Sequence, residues 1–281
     1  MPHPHAKRTG EPCWADLMTS DLPRAREFYT RLFGWTASDS GSEYGNYVTF
    51  RKGDADVAGM GAHEAGSELP DAWTTYLAVT DADAAVAAAR AAGAEVLAEP
   101  MQVGTMGRMA ILMDPTGAPV GVWQADEFTG FGAFGDAGTP VWHELNTRSY
   151  AAALDFYTRV FGWKPVVLSD TDDFRYSTIG PEDDMVAGVF DAAGHLPDSV
   201  SSHWQLYLGV PDVHATAATV TELGGTVIRE PWTAEFGTFA LVTDPTGALF
   251  VIGSVDEPPA AEKAGTEEDG TGEPDADLPI G

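Results

Sequence analysis

The constraint that governs this chain is an internal repeat. FYTRLFGW at 28–35 returns as FYTRVFGW at 156–163, and the same offset of 128 carries Trp14 in CWADL onto Trp142 in VWHEL. TTYLAV at 74–79 matches QLYLGV at 205–210, GAEVLAEP at 93–100 matches GGTVIREP at 224–231, and DPTGA recurs from Asp114 and Asp244. Offsets of 128 to 131 leave room for small insertions only. Five matched segments in one order mark a duplicated domain. A length of 281 residues fits two such units at roughly 100 to 200 residues each. The Gly-rich stretch EFTGFGAFGDAGT at 127–139 is the expected junction.

The hydrophobic periods can be read inside each half. CWADLMT alternates, with Cys13, Ala15 and Leu17 on one face and Trp14, Asp16 and Met18 on the other, the period of a strand. The next segment changes period. In LPRAREFYTRLFG, Leu22, Ala25, Phe28, Tyr29, Leu32 and Phe33 recur at helical spacing, with Ser20 or Asp21 as N-cap and Gly34 as the stop. Strands YVTFRK and VAGMGAH follow. The cycle restarts with WTTYLAV, a helix capped at Asp81 or Asp83, the short strand AEVLAEP, then RMAILMD, the DPTG turn and APVGVWQA. Each half thus reads strand, helix, three strands, twice over, an α+β class built from four βαβββ modules. The expected organisation is a flexible N-terminus (1–11), a first domain (12–126), a linker (127–139), a second domain (140–254) and a disordered acidic tail (255–281).

Composition narrows the partners. There are 15 Lys and Arg against 43 Asp and Glu, a formal charge of −28. Residues 255–281 hold nine acidic side chains and one Lys, which leaves −20 on the rest. Binding to nucleic acid or an anionic membrane rests on cationic neutralisation, so neither partner is expected. The lone Cys13 excludes an internal disulfide, no apolar run reaches 18 residues, and MPHPHAKRTG lacks the apolar segment of a signal peptide. A cytoplasmic protein is the expectation, a monomeric pseudo-dimer or a homodimer.

The ordered motifs carry a family resemblance. Trp-x-acidic-Leu leading to Asp and FYxxLFGW, followed by YLAV-x-D and a closing G-x-x-x-(I/L)-x-x-DPTGA, resembles the two-domain vicinal oxygen chelate (VOC) proteins, the glyoxalase, bleomycin-resistance and dioxygenase superfamily. The likeness runs from about Glu11 to Gly253. It implies two tandem VOC domains with cupped mixed β-sheets, and it extends to antibiotic pathways, including anthracycline ones. It also implies where metal ligands stand in the family's enzymes. Those places are occupied here by Trp14, Thr74 and Gly121 in the first half and by Trp142, Gln205 and Val251 in the second. Indole, glycine and valine supply no metal ligand, Thr is a poor one and Gln a usable one. No metal and no other cofactor is expected.

Strand parity gives the side chains that would face each cup. The first would present Trp14, Asp16, Met18, Thr74, Tyr76, Gly121 and Trp123, with Gly121 leaving room. The second would present Trp142, Glu144, Asn146, Gln205, Tyr207 and Val251. Tyr47 and Tyr176 are expected to join them. The tryptophans read equally as core filling or as ligand contact. The repeated acid, Asp16 and Glu144, is costly on a buried face and calls for a partner, a ligand or a metal, or more blandly a structural hydrogen bond to a neighbouring Tyr or backbone amide. His143 is expected on the helix side as a structural histidine, His203 at a strand entrance, Cys13 as a buried inert thiol, and DPTG as a turn alone.

No catalytic residue is assigned by this pattern. Aromatics beside a single carboxylate suit a flat, weakly polar ligand with a cationic group. The expected function is therefore metal-free binding or sequestration of an aromatic natural product, for drug binding, self-resistance or help to a biosynthetic enzyme of the same pathway. The alternative is a metal-dependent VOC enzyme, a glyoxalase-like lyase or isomerase or an oxygenase, with ligands at shifted positions. The first cup is expected to be the roomier.

Overall fold

The computed structural model describes residues 8–64, 66–67, 69–171, 173–180 and 185–255. The expected acidic tail lies outside the described residues except for Val255, as does the N-terminal segment before Arg8. In the first half the elements are β1 (Pro12–Thr19), α1 (Leu22–Phe33), β2 (Thr36–Asp39), β3 (Val48–Lys52), β4 (Ala55–Ala62), β5 (Ala72–Val79), α2 (Ala82–Ala91), β6 (Glu95–Val103), β7 (Gly107–Met113) and β8 (Pro119–Ala125). The second half repeats them as β9 (Pro140–Thr147), α3 (Tyr150–Phe161), β10 (Pro165–Asp170), β11 (Arg175–Ile179), β12 (Ala187–Asp191), β13 (His203–Val210), α4 (Val213–Glu222), β14 (Thr226–Ala234), β15 (Gly237–Thr243) and β16 (Leu249–Ser254).

Each half closes its own eight-stranded mixed sheet, in the orders β2-β3-β4-β1-β5-β8-β7-β6 and β10-β11-β12-β9-β13-β16-β15-β14. The central pairs β1–β5 and β9–β13 are antiparallel, and their outer neighbours β4, β8, β12 and β16 run parallel to them. Both cups therefore form within a half. Three of the four helices, α1, α2 and α4, start on a capping aspartate. Asp21 accepts from the Arg24 amide, Asp81 from Ala84 and Asp212 from Ala215, and α1 and α3 end on Gly34 and Gly162 in the left-handed region at φ 66° and 70°. Among the described residues no helix is long and apolar enough to cross a membrane.

The helical faces do not pack within their own halves alone. One core joins α1, β1, β3 and β4 to α4, β13, β15 and β16 of the other half, where Phe250 lies 6.2 Å from Phe28 and 5.7 Å from Tyr29 between ring centroids. The other core joins α2, β5, β7 and β8 to α3, β9 and β12. The repeated motifs are the fasteners of this exchange. Trp35 Nε1 donates to the Gly138 carbonyl at 2.7 Å, and Trp163 Nε1 donates to the Gly10 carbonyl at 2.8 Å. Gly10 and Glu11, which the sequence places in a flexible end, are buried, and Gly10 N donates to Ala78 O at 2.7 Å.

DPTG proves to be more than a turn. Asp114 Oδ1 holds the turn through Thr116 N at 2.7 Å and Ala118 N at 3.0 Å, while Oδ2 accepts from Tyr157 OH of the other half at 3.0 Å. The same Tyr157 hydroxyl accepts from Trp204 Nε1 at 2.9 Å. His143 is fully buried on the helix side, 3.0 Å from Thr75 Oγ1, as its parity predicts. Cys13 is buried too, with its thiol on the Tyr76 carbonyl.

Candidate functional site

Strand register assembles the cup faces. In the first half Trp14 lies opposite Tyr76, Asp16 opposite Thr74 and beside Gly59, and Tyr76 beside Gly121. In the second half Trp142 lies opposite Tyr207, Glu144 opposite Gln205 and beside Gly188, Asn146 between Phe190 and His203, and Tyr207 beside Val251. The parity-derived side chains thus share a face in each half.

The repeated carboxylate is the hub of each cup. Trp14 Nε1 donates to Tyr47 OH at 2.9 Å, and Tyr47 OH donates to Asp16 Oδ2 at 3.2 Å. The copy reads Trp142 Nε1 to Tyr176 OH at 3.1 Å and Tyr176 OH to Glu144 Oε2 at 2.8 Å, with Tyr207 OH on Glu144 Oε1 at 2.9 Å. Glycine makes the contact possible. A Cβ on Gly59 would stand 1.7 Å from the Tyr47 hydroxyl, and one on Gly188 would stand 1.9 Å from that of Tyr176. Burial pushes Asp16 up to about 7, against the pull of the Tyr76 and Tyr47 phenols. Glu144 is raised by the same cause and lowered by Tyr176, Tyr207 and Asn146. The phenols facing these acids are driven well above their usual range by burial and by the neighbouring carboxylate.

The two cups differ in access, and in the opposite sense to the sequence expectation. Asp16 is 6% exposed, Trp14 and Tyr76 5% and Trp123 8%, so the first cup is the closed one. Phe128 from the junction sets its ring edge-on to Trp14 at 4.7 Å, and its carbonyl accepts from Trp123 Nε1 at 2.8 Å. Gly121 leaves no space, because the Tyr76 ring occupies the position a Cβ would take, at 2.2 Å. Met18, Tyr47 and Thr74 remain half-buried, with Met18 sulfur over Gly61. In the second cup Trp142, Glu144, Asn146, Tyr176 and Tyr207 are all half-buried, and only Gln205 and Val251 are closed off.

Further aromatics wall the second cup. Exposed Phe174 stacks on Tyr176 at 5.5 Å, Phe190 lies 5.7 Å from Phe174, and Phe239 packs between Tyr207 at 5.9 Å and Trp232 at 5.8 Å. Arg229 places its guanidinium 3.9 Å over the Trp232 ring. A shallow cleft of about 220 Å³, lined by Thr171, Asp173, Arg175, Asp191 and His195, lies at the β11–β12 end of this sheet, where Arg175 sits over the Tyr150 ring of α3. Sequence reasoning missed Phe174, Phe190, Arg229, Trp232, Phe239 and Phe128. The two glycines under the tyrosines were legible in the repeated VAG at 57–59 and 186–188.

Chain comparison adds kinship to this geometry. The sequence model described as "Glyoxalase/Bleomycin resistance protein/Dioxygenase superfamily" matches residues 13–122 and 139–252. The chain belongs to this superfamily. A member named "Putative glyoxylase CFP32" in Mycobacterium bovis is 36% identical over 260 residues, 90% of this chain and 97% of that protein. The anthracycline biosynthesis protein DnrV of Streptomyces peucetius is 34% identical over 272 residues, 86% of this chain and 92% of its own length. The 2,3-dioxygenase LapB from Pseudomonas sp. KL28 shares the fold, with a TM-score of 0.63 at 14% identity over 92% of this chain and 96% of that one.

Of the positions that the superfamily resemblance assigns to metal ligands, Gln205 alone keeps a usable donor and Thr74 a poor one, and the residues at the others do not fit a metal ion. Trp14 and Trp142 turn an N–H donor to a tyrosine, Gly121 lies under the Tyr76 ring, and Val251 is apolar. Among the described residues no three His, Cys, Asp or Glu side chains converge.

Proposed function

We propose that this superfamily member binds an aromatic small molecule in its second cup without a metal ion, in the cytoplasm, as a pathway helper or self-resistance protein. The observation that carries the reading is the half-buried Glu144 held by Tyr176 and Tyr207 inside a wall of Phe174, Phe190, Trp232 and Phe239. Apolar area removed from water contributes about 25 cal/mol per Å², so a flat ring system gains most from such a wall. Glu144 selects within that class by accepting from an amine or hydroxyl of the ligand. Kinship with a protein named for anthracycline biosynthesis supports a polycyclic natural product as that ligand.

The test is titration of the protein with a planar polycyclic such as an anthracycline, by tryptophan quenching and calorimetry, with and without a chelator. Saturable binding that is unchanged by the chelator and weakened about tenfold or more by Glu144→Gln is expected, since hydrogen bonds to charged groups contribute about 1.5 to 3 kcal/mol. Absence of binding would remove the reading. Near-stoichiometric retention of zinc, nickel, manganese or iron after soaking and desalting would replace it with the metal-dependent lyase or oxygenase alternative.

A further inference from the structure

We propose that the ligand of the second cup carries an anionic oxygen on its aromatic nucleus, a carboxylate or ionised phenol, placed to meet Arg229. This inference rests on the reading of that cup as an aromatic-binding site. It begins with register. Arg229 pairs with Leu241, Leu241 with Val251 and Val251 with Tyr207, so Arg229 shares the cup face with the tyrosine that donates to Glu144. Its guanidinium is held over Trp232, which packs on Phe239, which packs on Tyr207. The charge is close enough to lower the Tyr207 phenol against the larger upward pull of burial and Glu144.

Charge accounting points the same way. Arg26, Arg51, Arg90, Arg108 and Arg175 are each paired with an Asp or Glu, as a chain with 43 acids and 15 bases makes easy. Arg229, like Arg24 and Arg148, makes no salt bridge among the described residues; Arg148 is spent on the Val200 and Leu196 carbonyls, and of the three Arg229 is the one that register places on the cup face. Glu144, by contrast, already accepts a phenol on each oxygen, so that a ligand donor meets its remaining lone pairs and not an unpaired charge. The unmatched charge of this cup is therefore positive. A planar guanidinium stacked on an indole is pre-organised to grip a carboxylate with two N–H donors.

Comparison of the two copies isolates the feature. The equivalent bulged strand of the first half pairs Ala98 with Ile111 and Met101 with Met109, where the second pairs Arg229 with Leu241 and Trp232 with Phe239. Cation and indole thus stand in the accessible cup and are replaced by small and flexible apolar residues in the closed one.

The experiment compares anthraquinone-2-carboxylate with its neutral isostere anthraquinone-2-carboxamide, titrated by tryptophan quenching at low and high salt. The full-length protein should prefer the carboxylate about tenfold at low salt, with the preference shrinking at high salt. Arg229→Gln should bring the ratio of the two affinities close to one, whereas Arg229→Lys should retain part of it. Equal binding of both probes, or a preference that survives Arg229→Gln, would overturn the inference while leaving the aromatic-binding reading standing. Binding of neither probe would overturn that reading, and the inference with it.

Discussion

At the scale of single residues, the repeated acid explains most of what the cups can do. Asp16 is buried with one oxygen on Tyr47, and its Oδ1 has no hydrogen bond of good geometry among the described residues. An acid raised from 3.8 to about 7 leaves the native state holding one more proton than the unfolded chain across that window. Stability conferred by the neutral form is therefore full below pH 4, is lost as pH rises towards 7, and changes little beyond. At about 1.36 kcal/mol per unit the loss is of order 4 kcal/mol. Asp16→Asn should remove it, so the variant should gain on the parent in denaturant midpoint between pH 4 and 7; parallel pH profiles for the two proteins would contradict this. Both acids were legible in the sequence because the repeat doubled them and strand alternation fixed their side. Arg229 was not. Bulges between Val227 and Arg229 and between Arg229 and Trp232 break the period-two count, so parity along the strand fails just where the cation lies.

At the scale of elements, capped helices and alternating strands were readable because each follows from local chemistry, whereas the access to the cups depends on a connecting segment with no period. Phe128 and its neighbours read as a Gly-rich junction, and yet Phe128 lies on the indole of Trp14. The sequence signal was present only as aromatics in an otherwise small-residue stretch. Phe128→Ala should cost about 1 to 2 kcal/mol, less than a fully buried ring because Phe128 is half-buried. It should also raise the fraction of tryptophan emission quenched by acrylamide as Trp14 and Trp123 are uncovered. Unchanged quenching would mean that the segment does not act as the cover. The β6 strand teaches a similar lesson. AEVLAEP reads as short, but its pairing continues past Pro100 to Val103, because a proline at a bulge removes no ladder bond.

At the scale of the whole molecule, the duplication was plain in the sequence and the crosswise packing was not, since which helix covers which sheet depends on contacts more than a hundred positions apart. The consequence is cooperative. Each core takes side chains from both halves, and Tyr157, Trp35 and Trp163 are bonded across the divide. Residues 1–126 or 127–281 expressed alone would expose half of two cores and should fail to fold, while the full chain should melt in one transition with equal calorimetric and van 't Hoff enthalpies. Two resolved transitions, or a folded isolated half, would refute that account.

The junction at 127–139 occurs once, whereas everything it connects occurs twice. Among the described residues the cover that Phe128 gives Trp14 has no counterpart on Trp142, and residues 255–281 contain no aromatic side chain. Joining two equivalent units through a single covalent bridge breaks their symmetry before any residue in either cup has changed.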